Sequence, residues 1–243
     1  MTSSAKHKFI FIANPKTGTT YIQNILKCNI EDSLQNTILT NEKVFNFGEH
    51  VPPSIVRKDM AEFYNIYKKV VFIRHPYDKV VSSYFFLKNG NPLTKGNIWA
   101  YRLKLKTLIR AIVTYLNTIT ARTIPFEIWS ILRPTKRNSK YVLDGNQFVV
   151  NYIGRTEYLE PHFHSIFSEI GITLKVKNEI GQFSKNKSAH NEPSSYFKEG
   201  SMHKKIFDFI YRKELELYCI VASKPPTFDF YGKSLDQSLR SIE

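Results

Sequence analysis

Residues 8–20 read KFIFIANPKTGTT, and the fold follows from how this stretch divides. Residues 8–13 form a continuous apolar run, as a strand covered on both faces requires, since successive side chains point to opposite sides. Residues 14–19 break the run, and residues 20–27 read as a helix with Tyr21, Ile22, Ile25 and Leu26 along one side. In a strand, loop and helix of this kind the backbone N–H groups of the loop and the helix dipole favour a bound phosphate. Lys16 adds a positive charge, Gly18 lets the backbone approach an anion, and Thr19 and Thr20 add hydroxyl donors. A nucleotide triphosphatase of the Gly-x-x-x-x-Gly-Lys-Ser/Thr type carries its lysine after the second glycine. Here Lys16 precedes Gly18, so the loop binds phosphate by its physics and departs from that order.

The unit recurs along the chain. Residues 69–73 (KVVFI) are a second buried-strand candidate, interrupted by Arg74-His75-Pro76 before an amphipathic helix over 77–87. Residues 148–153 (FVVNYI) are a third, followed by a helix over 159–170. Between the first two lie a short strand at 44–47, the segment Gly48-Glu49-His50, and a Pro-Pro start to a helix near 54–67. Residues 98–120 place Trp99, Leu105, Leu108, Ile109, Ile112 and Leu116 at helical spacing, as a core-packing helix with a solvated basic face does. Residues 203–221 read as one amphipathic helix with Ile206, Phe209, Ile210, Leu217 and Ile220 facing inward. Alternating strands and helices predict an α/β fold: a P-loop-like, three-layer domain with a central, mainly parallel sheet, helices on both faces and ligands at the carboxyl ends of the strands.

A chain of 243 residues with 42% hydrophobic residues can bury a large core, and one domain over 1–243 is expected. The net charge of +14 points to an anionic partner. The excess concentrates at 102–140, where nine basic residues face the single acid Glu127. With two cysteines, Cys28 and Cys219, and a polar segment at 1–8, nothing marks a disulfide framework or a secretory signal. No apolar run is long enough to cross a bilayer. A cytoplasmic location is the expectation, a Golgi-lumen catalytic domain the alternative. No His, Cys, Asp and Glu cluster has metal-ligand spacing, so no metal is expected.

Pro15-Lys16-Thr17-Gly18-Thr19-Thr20 resembles the 5′-phosphosulfate loop of sulfotransferases that use 3′-phosphoadenosine-5′-phosphosulfate (PAPS), in the place after the first strand where that superfamily carries it. Arg74-His75-Pro76-Tyr77-Asp78-Lys79-Val80-Val81-Ser82 resembles the 3′-phosphate loop, and the resemblance implies that Arg74 and Ser82 grip that phosphate. An arginine suits the role because its fork of donors matches phosphate oxygens. Gly48-Glu49-His50-Val51-Pro52 stands where the family carries its catalytic base. An imidazole exchanges protons near neutral pH, which makes His50 the candidate base and Glu49 the alternate. Lys16 would stabilise charge on the bridging oxygen. Phe183-Ser184-Lys185-Asn186-Lys187-Ser188 resembles the Asn-Lys-Ser segment of the carbohydrate branch, which implies that Lys185, Asn186, Lys187 and Ser188 close over the nucleotide. Gly154-Arg155-Thr156-Glu157 resembles the family's Gly-Arg-x-Glu segment.

The resemblance thus implies sulfuryl transfer from PAPS to a hydroxyl or amine, of a carbohydrate by preference or else of a small alcohol or phenol. Residues 90–146, basic and helical, match nothing in the family pattern and are a candidate acceptor-binding insertion; the tail after Ser223 is likewise unmatched. Two other readings stay open: a P-loop-type nucleotide kinase, and a basic nucleic-acid-binding module that rests on charge alone. No specific nucleic acid is expected as a partner, and the sequence is silent on oligomeric state.

Overall fold

The computed structural model describes residues 1–40, 43–89, 105–132, 137–173 and 191–240. In chain order the elements are β1 (Thr2–Ser4), β2 (Phe9–Ile12), α1 (Thr19–Asn29), β3 (Leu34–Gln35), β4 (Thr37–Leu39), β5 (Val44–Asn46), α2 (Pro53–Met60), β6 (Lys68–Ile73), α3 (Pro76–Asn89) and α4 (Leu105–Thr123). They continue with α5 (Phe126–Leu132), α6 (Ser139–Val142), β7 (Leu143–Asp144), β8 (Gln147–Phe148), β9 (Tyr152–Arg155), α7 (Leu159–Glu169), α8 (Met202–Ile210), α9 (Arg212–Ala222) and α10 (Leu235–Arg240). Contacts group them into two units: Met1–Pro76 with Lys136–Asn186 and Arg212–Glu243, and Tyr77–Thr135 with Lys187–Tyr211.

The first unit is an α/β structure around a sheet of order β3-β1-β2-β6-β9. Its centre is parallel: Ile10 is opposite Lys69 and Ile12 opposite Val71, while Val71 is opposite Ile153 and Ile73 opposite Arg155. Because side chains alternate, each apolar run feeds two cores at once. Phe9, Phe11, Val70 and Phe72 pack with Ile22, Ile25 and Leu26 of α1 and Phe163, Ile166 and Phe167 of α7. Ile10, Ile12, Val71 and Ile73 pack with Val56 and Met60 of α2, Tyr141 and Val142 of α6, and Leu217, Ile220 and Val221 of α9. Helices on both faces of a mainly parallel sheet are the architecture the sequence predicts. Lys69 interrupts the apolar surface, and its amine is held between the rings of Tyr64 (4.6 Å) and Tyr231 (3.9 Å) while donating to the Tyr64 carbonyl (3.3 Å). Burial pulls its pKa down to about 8, partly offset by Asp229.

Gly154 faces Phe72 across the β6–β9 pair, and a Cβ there would stand 2.4 Å from the Phe72 ring. The glycine of Gly-Arg-x-Glu is therefore a packing requirement of the sheet. Gly154→Ala is expected to cost about 1–3 kcal/mol as an overpacked core does. Urea melts should show a lower midpoint, largely restored by Phe72→Leu; an unchanged midpoint in the single variant would sink the argument.

Three expectations shift. Residues 2–4 form β1, antiparallel to both β2 and β3, a strand without apolar patterning. Beyond its backbone pairing it is fastened by side-chain hydrogen bonds: Ser3 donates to the Thr37 carbonyl (2.6 Å) and Ser4 to the Asp32 carboxylate (2.7 Å). The run at 148–153 is divided: Gln147–Phe148 pairs with Leu143–Asp144, and the sheet strand begins only at Tyr152. Asn151 makes the break, accepting from the Lys69 N–H (3.0 Å) while donating to Asp229 (3.1 Å). The helix at 203–221 is two helices, parted at Tyr211 (φ −102°, ψ 13°). Leu217 and Ile220 are buried, but Phe209 is 81% exposed.

The second unit contains α3, α4, α5 and α8. Its core is aromatic, with Tyr84, Phe126, Trp129, Phe197, Phe207 and Tyr211 around Val80, Val81 and Ala121. Tyr84 meets Phe126 and Trp129 edge-on, at 5.3 and 5.2 Å between ring centres. On α4, Thr118 and Ala121 are buried while Leu116 is 49% exposed. Helical spacing identifies the helix but not how much of each side is covered.

Candidate functional site

The loop after β2 has a distinctive backbone. Lys16 (φ 65°) and Gly18 (φ 70°) are both left-handed, with Thr17 between them outside that region. Such alternation turns successive N–H groups toward one side, the geometry that receives an anion. Gly18 is also the residue ahead of the first turn of α1, and a Cβ on it would press on the Leu159 side chain at 3.2 Å. Thr17 and Thr19 are buried, and both hydroxyls donate to the Asn14 carbonyl, at 2.8 and 2.7 Å. Each hydroxyl has one hydrogen, so in this arrangement they tie the loop together and Thr19 does not offer a donor outward. Thr20 is exposed on the first turn of α1.

His50 lies in the connection between β5 and α2, and its Nδ1 stands 2.8 Å from the carbonyl of Ala13, the residue just before the loop. A carbonyl only accepts, so Nδ1 carries the hydrogen, and in the neutral ring Nε2 keeps its lone pair. That Nε2 is 3.8 Å from Glu49 Oε1. The His50 side chain is 29% exposed against 59% for Glu49, so the imidazole is the more confined of the two. The Tyr141 hydroxyl donates to the His50 carbonyl (3.4 Å), which holds the segment from its other side.

Arg74 begins the loop after β6, beside the loop of β2. Its carbonyl accepts from Asn138 Nδ2 (2.8 Å). The β9 end stitches onto the same turn: Thr156 Oγ1 donates to the Ile73 carbonyl (2.9 Å), and the His75 N–H donates to Glu157 Oε1 (2.7 Å). The Gly-Arg-x-Glu segment thus shapes the Arg74 turn. The His75 ring meets Tyr218 edge-on (4.6 Å), and burial, with Glu157 adding to it, pushes the Tyr218 hydroxyl up to about 12. The Arg155 N–H donates to His162 Nδ1 (3.0 Å), and burial followed by the Arg155 charge holds the His162 pKa below its usual value.

Three residues not singled out from the sequence complete the arrangement. Asn14 Nδ2 donates to the Phe72 carbonyl (2.9 Å) and to Asn138 Oδ1 (3.1 Å). Glu214 accepts from the N–H groups of Asn138 (2.7 Å) and Ser139 (3.1 Å), at the start of α6. Asn14 had one visible signal, a polar side chain directly at the end of a buried run. Glu214 had another, an acid within an apolar face. Asn138 had none.

The structure therefore brings Lys16, Thr17, Gly18, Thr19, Thr20, Glu49, His50 and Arg74 into one unit, on segments tied directly to the carboxyl ends of β2 and β6. Ser82 is buried on α3 in the second unit. Lys185, Asn186, Lys187 and Ser188 lie outside the described residues. Among the described residues no group of three His, Cys, Asp or Glu could hold a metal ion. No described helix is long and apolar enough to cross a membrane.

Parallel strands covered by helices on both faces, with a left-handed glycine loop leading into α1, define an α/β protein whose loops gather at one end of the sheet. The sequence model of the sulfotransferase family matches residues 1–219, and the chain belongs to that family. It is accordingly a transferase, with sulfuryl transfer as its general chemistry. No curated protein and no solved structure gives a significant match.

Proposed function

We propose that this chain transfers the sulfuryl group of PAPS to an acceptor hydroxyl or amine, that of a carbohydrate by preference. The observation that carries the reading is the His50 Nδ1 contact with the Ala13 carbonyl (2.8 Å), which leaves Nε2 as the basic nitrogen of a ring fastened to the start of the anion loop. Lys16 and the loop N–H groups hold the 5′-phosphosulfate, in a turn whose left-handed Gly18 suits close approach. Arg74 takes the 3′-phosphate; the parts of Ser82, Lys185, Asn186, Lys187 and Ser188 rest on the family resemblance of their sequence segments alone.

In the reaction the acceptor oxygen attacks sulfur in line with the bridging oxygen. The new O–S bond forms as the old one breaks, and its electron pair stays on the phosphate of the departing adenosine 3′,5′-bisphosphate. Nε2 of His50 takes the acceptor's proton, while Lys16 and the loop dipoles stabilise charge developing on the bridging oxygen. Glu49, beside Nε2, is the alternate base. The basic residues of 102–140 favour an anionic, glycan-like acceptor.

Adenosine 3′,5′-bisphosphate in EDTA should raise the melting temperature. A hundredfold excess over Kd stabilises by about 2.7 kcal/mol, roughly 5–10 °C for a chain of this size. Magnesium-ATP should do much less; equal or greater stabilisation by it would favour a kinase and overturn the reading. Radiolabelled PAPS offered to glycans and small alcohols then identifies the acceptor class.

A further inference from the structure

Asn14, Asn138 and Glu214 make a polar chain through the first unit, with exposures of 0%, 1% and 2%. The amide directions follow from their partners. The carbonyls of Phe72 and Arg74 only accept, so the Asn14 and Asn138 NH₂ groups must point at them, at 2.9 and 2.8 Å. That leaves Asn138 Oδ1 to receive the second Asn14 N–H, at 3.1 Å. At one end, the Asn14 carbonyl gathers the Thr17 and Thr19 hydroxyls. At the other, Glu214 anchors Asn138 through its backbone N–H (2.7 Å).

The result is a short path of hydrogen bonds from the interior of the Lys16 loop to the peptide of Arg74. A buried hydrogen-bonded network of this kind specifies one geometry, because a shift at either end leaves a buried donor or acceptor unpaired. We propose that Asn14 and Asn138 are positioning residues that set the separation of the Lys16 loop from Arg74, and with it the spacing of the two phosphate groups the site accepts, with Glu214 as their anchor. The proposal rests on the nucleotide reading above. It predicts that a ligand engaging both loops depends on the pair far more than a ligand engaging one.

The test measures adenosine 3′,5′-bisphosphate and adenosine 5′-monophosphate by calorimetry on the full chain and on Asn138→Ala, with amide hydrogen exchange recorded without ligand. The bisphosphate should weaken about tenfold or more and the monophosphate by less than about threefold, within the coupling range of contacting residues. Exchange should quicken together at the loop N–H groups of residues 16–19 and at His75. Equal weakening of both nucleotides, or faster exchange at only one loop, overturns the proposal. If Asn138→Ala does not melt cooperatively, Asn138→Leu takes its place: it keeps most of the buried volume but neither donates to the Arg74 carbonyl nor accepts from Asn14, and the same outcomes apply. Should the wild-type chain bind neither nucleotide, the nucleotide reading falls, and the pair's positioning role is decided by the exchange measurement alone.

Discussion

His50→Ala is expected to lower sulfuryl transfer by about 10²–10⁴-fold, the usual contribution of a positioned general base, while leaving adenosine 3′,5′-bisphosphate affinity within a few-fold of wild type. On the proposed mechanism the two effects separate, because Nε2 would act on the acceptor's proton and the loop N–H groups on the donor's phosphates. The Ala13 carbonyl loses a partner in the variant, but it sits beside partly exposed His50, where water can replace the lost donor (2.8 Å in the wild type). Glu49→Ala is the matched control. With the Nε2–Oε1 separation at 3.8 Å, loss of the carboxylate should change turnover far less than loss of the ring. Turnover of His50→Ala close to wild type would remove the imidazole from the reaction, and a large loss in Glu49→Ala alone would move the role to the carboxylate. Loss of nucleotide binding in both variants would mean that the segment serves to build the fold.

Arg74→Ala should discriminate between nucleotides. A charge-assisted hydrogen bond contributes about 1.5–3 kcal/mol, so ligands bearing a 3′-phosphate should weaken roughly 10–150-fold while those without it change little. The backbone of Arg74 is held independently of its side chain, by Asn138 Nδ2 at its carbonyl (2.8 Å) and, one residue on, by Glu157 at the His75 N–H (2.7 Å). Truncation should therefore remove the guanidinium and leave the turn in place. Competition titrations with adenosine 5′-monophosphate and adenosine 3′,5′-bisphosphate read the difference. If both ligands weaken alike, the arginine supports the loop and the 3′-phosphate binds elsewhere.

Much of the sheet was legible because buried parallel strands leave an uninterrupted signature. Residues 8–13 and 69–73 could be placed from apolarity alone, and helix α7 from its position after the third apolar run. Two of the three failures share an origin, a strand and a break made by side-chain hydrogen bonds. Ser3 and Ser4 hold β1 through partners 34 and 28 residues away, and Asn151 ends one apolar run and begins another by bonding to Lys69 and Asp229. Hydrophobic patterning has no access to such pairs.

The site divides along the same line. From the sequence alone came the order of lysine and glycine in the first loop, the arginine at the end of the second buried strand, and a histidine between them; each is a local choice of residue type beside a local break in apolarity. Only the tertiary structure decided that the His50 ring is bonded to Ala13 through Nδ1, that the Thr17 and Thr19 hydroxyls are turned inward on Asn14, and that Asn138 and Glu214 belong to the site's framework. The physical reason is range. Apolar periodicity and turn chemistry act within a few residues, whereas Asn14 and Asn138 are 124 positions apart and Asn138 and Glu214 are 76. A buried polar group finds its partner only after the sheet has brought distant segments together, so the direction of its hydrogen bonds is a property of the folded chain.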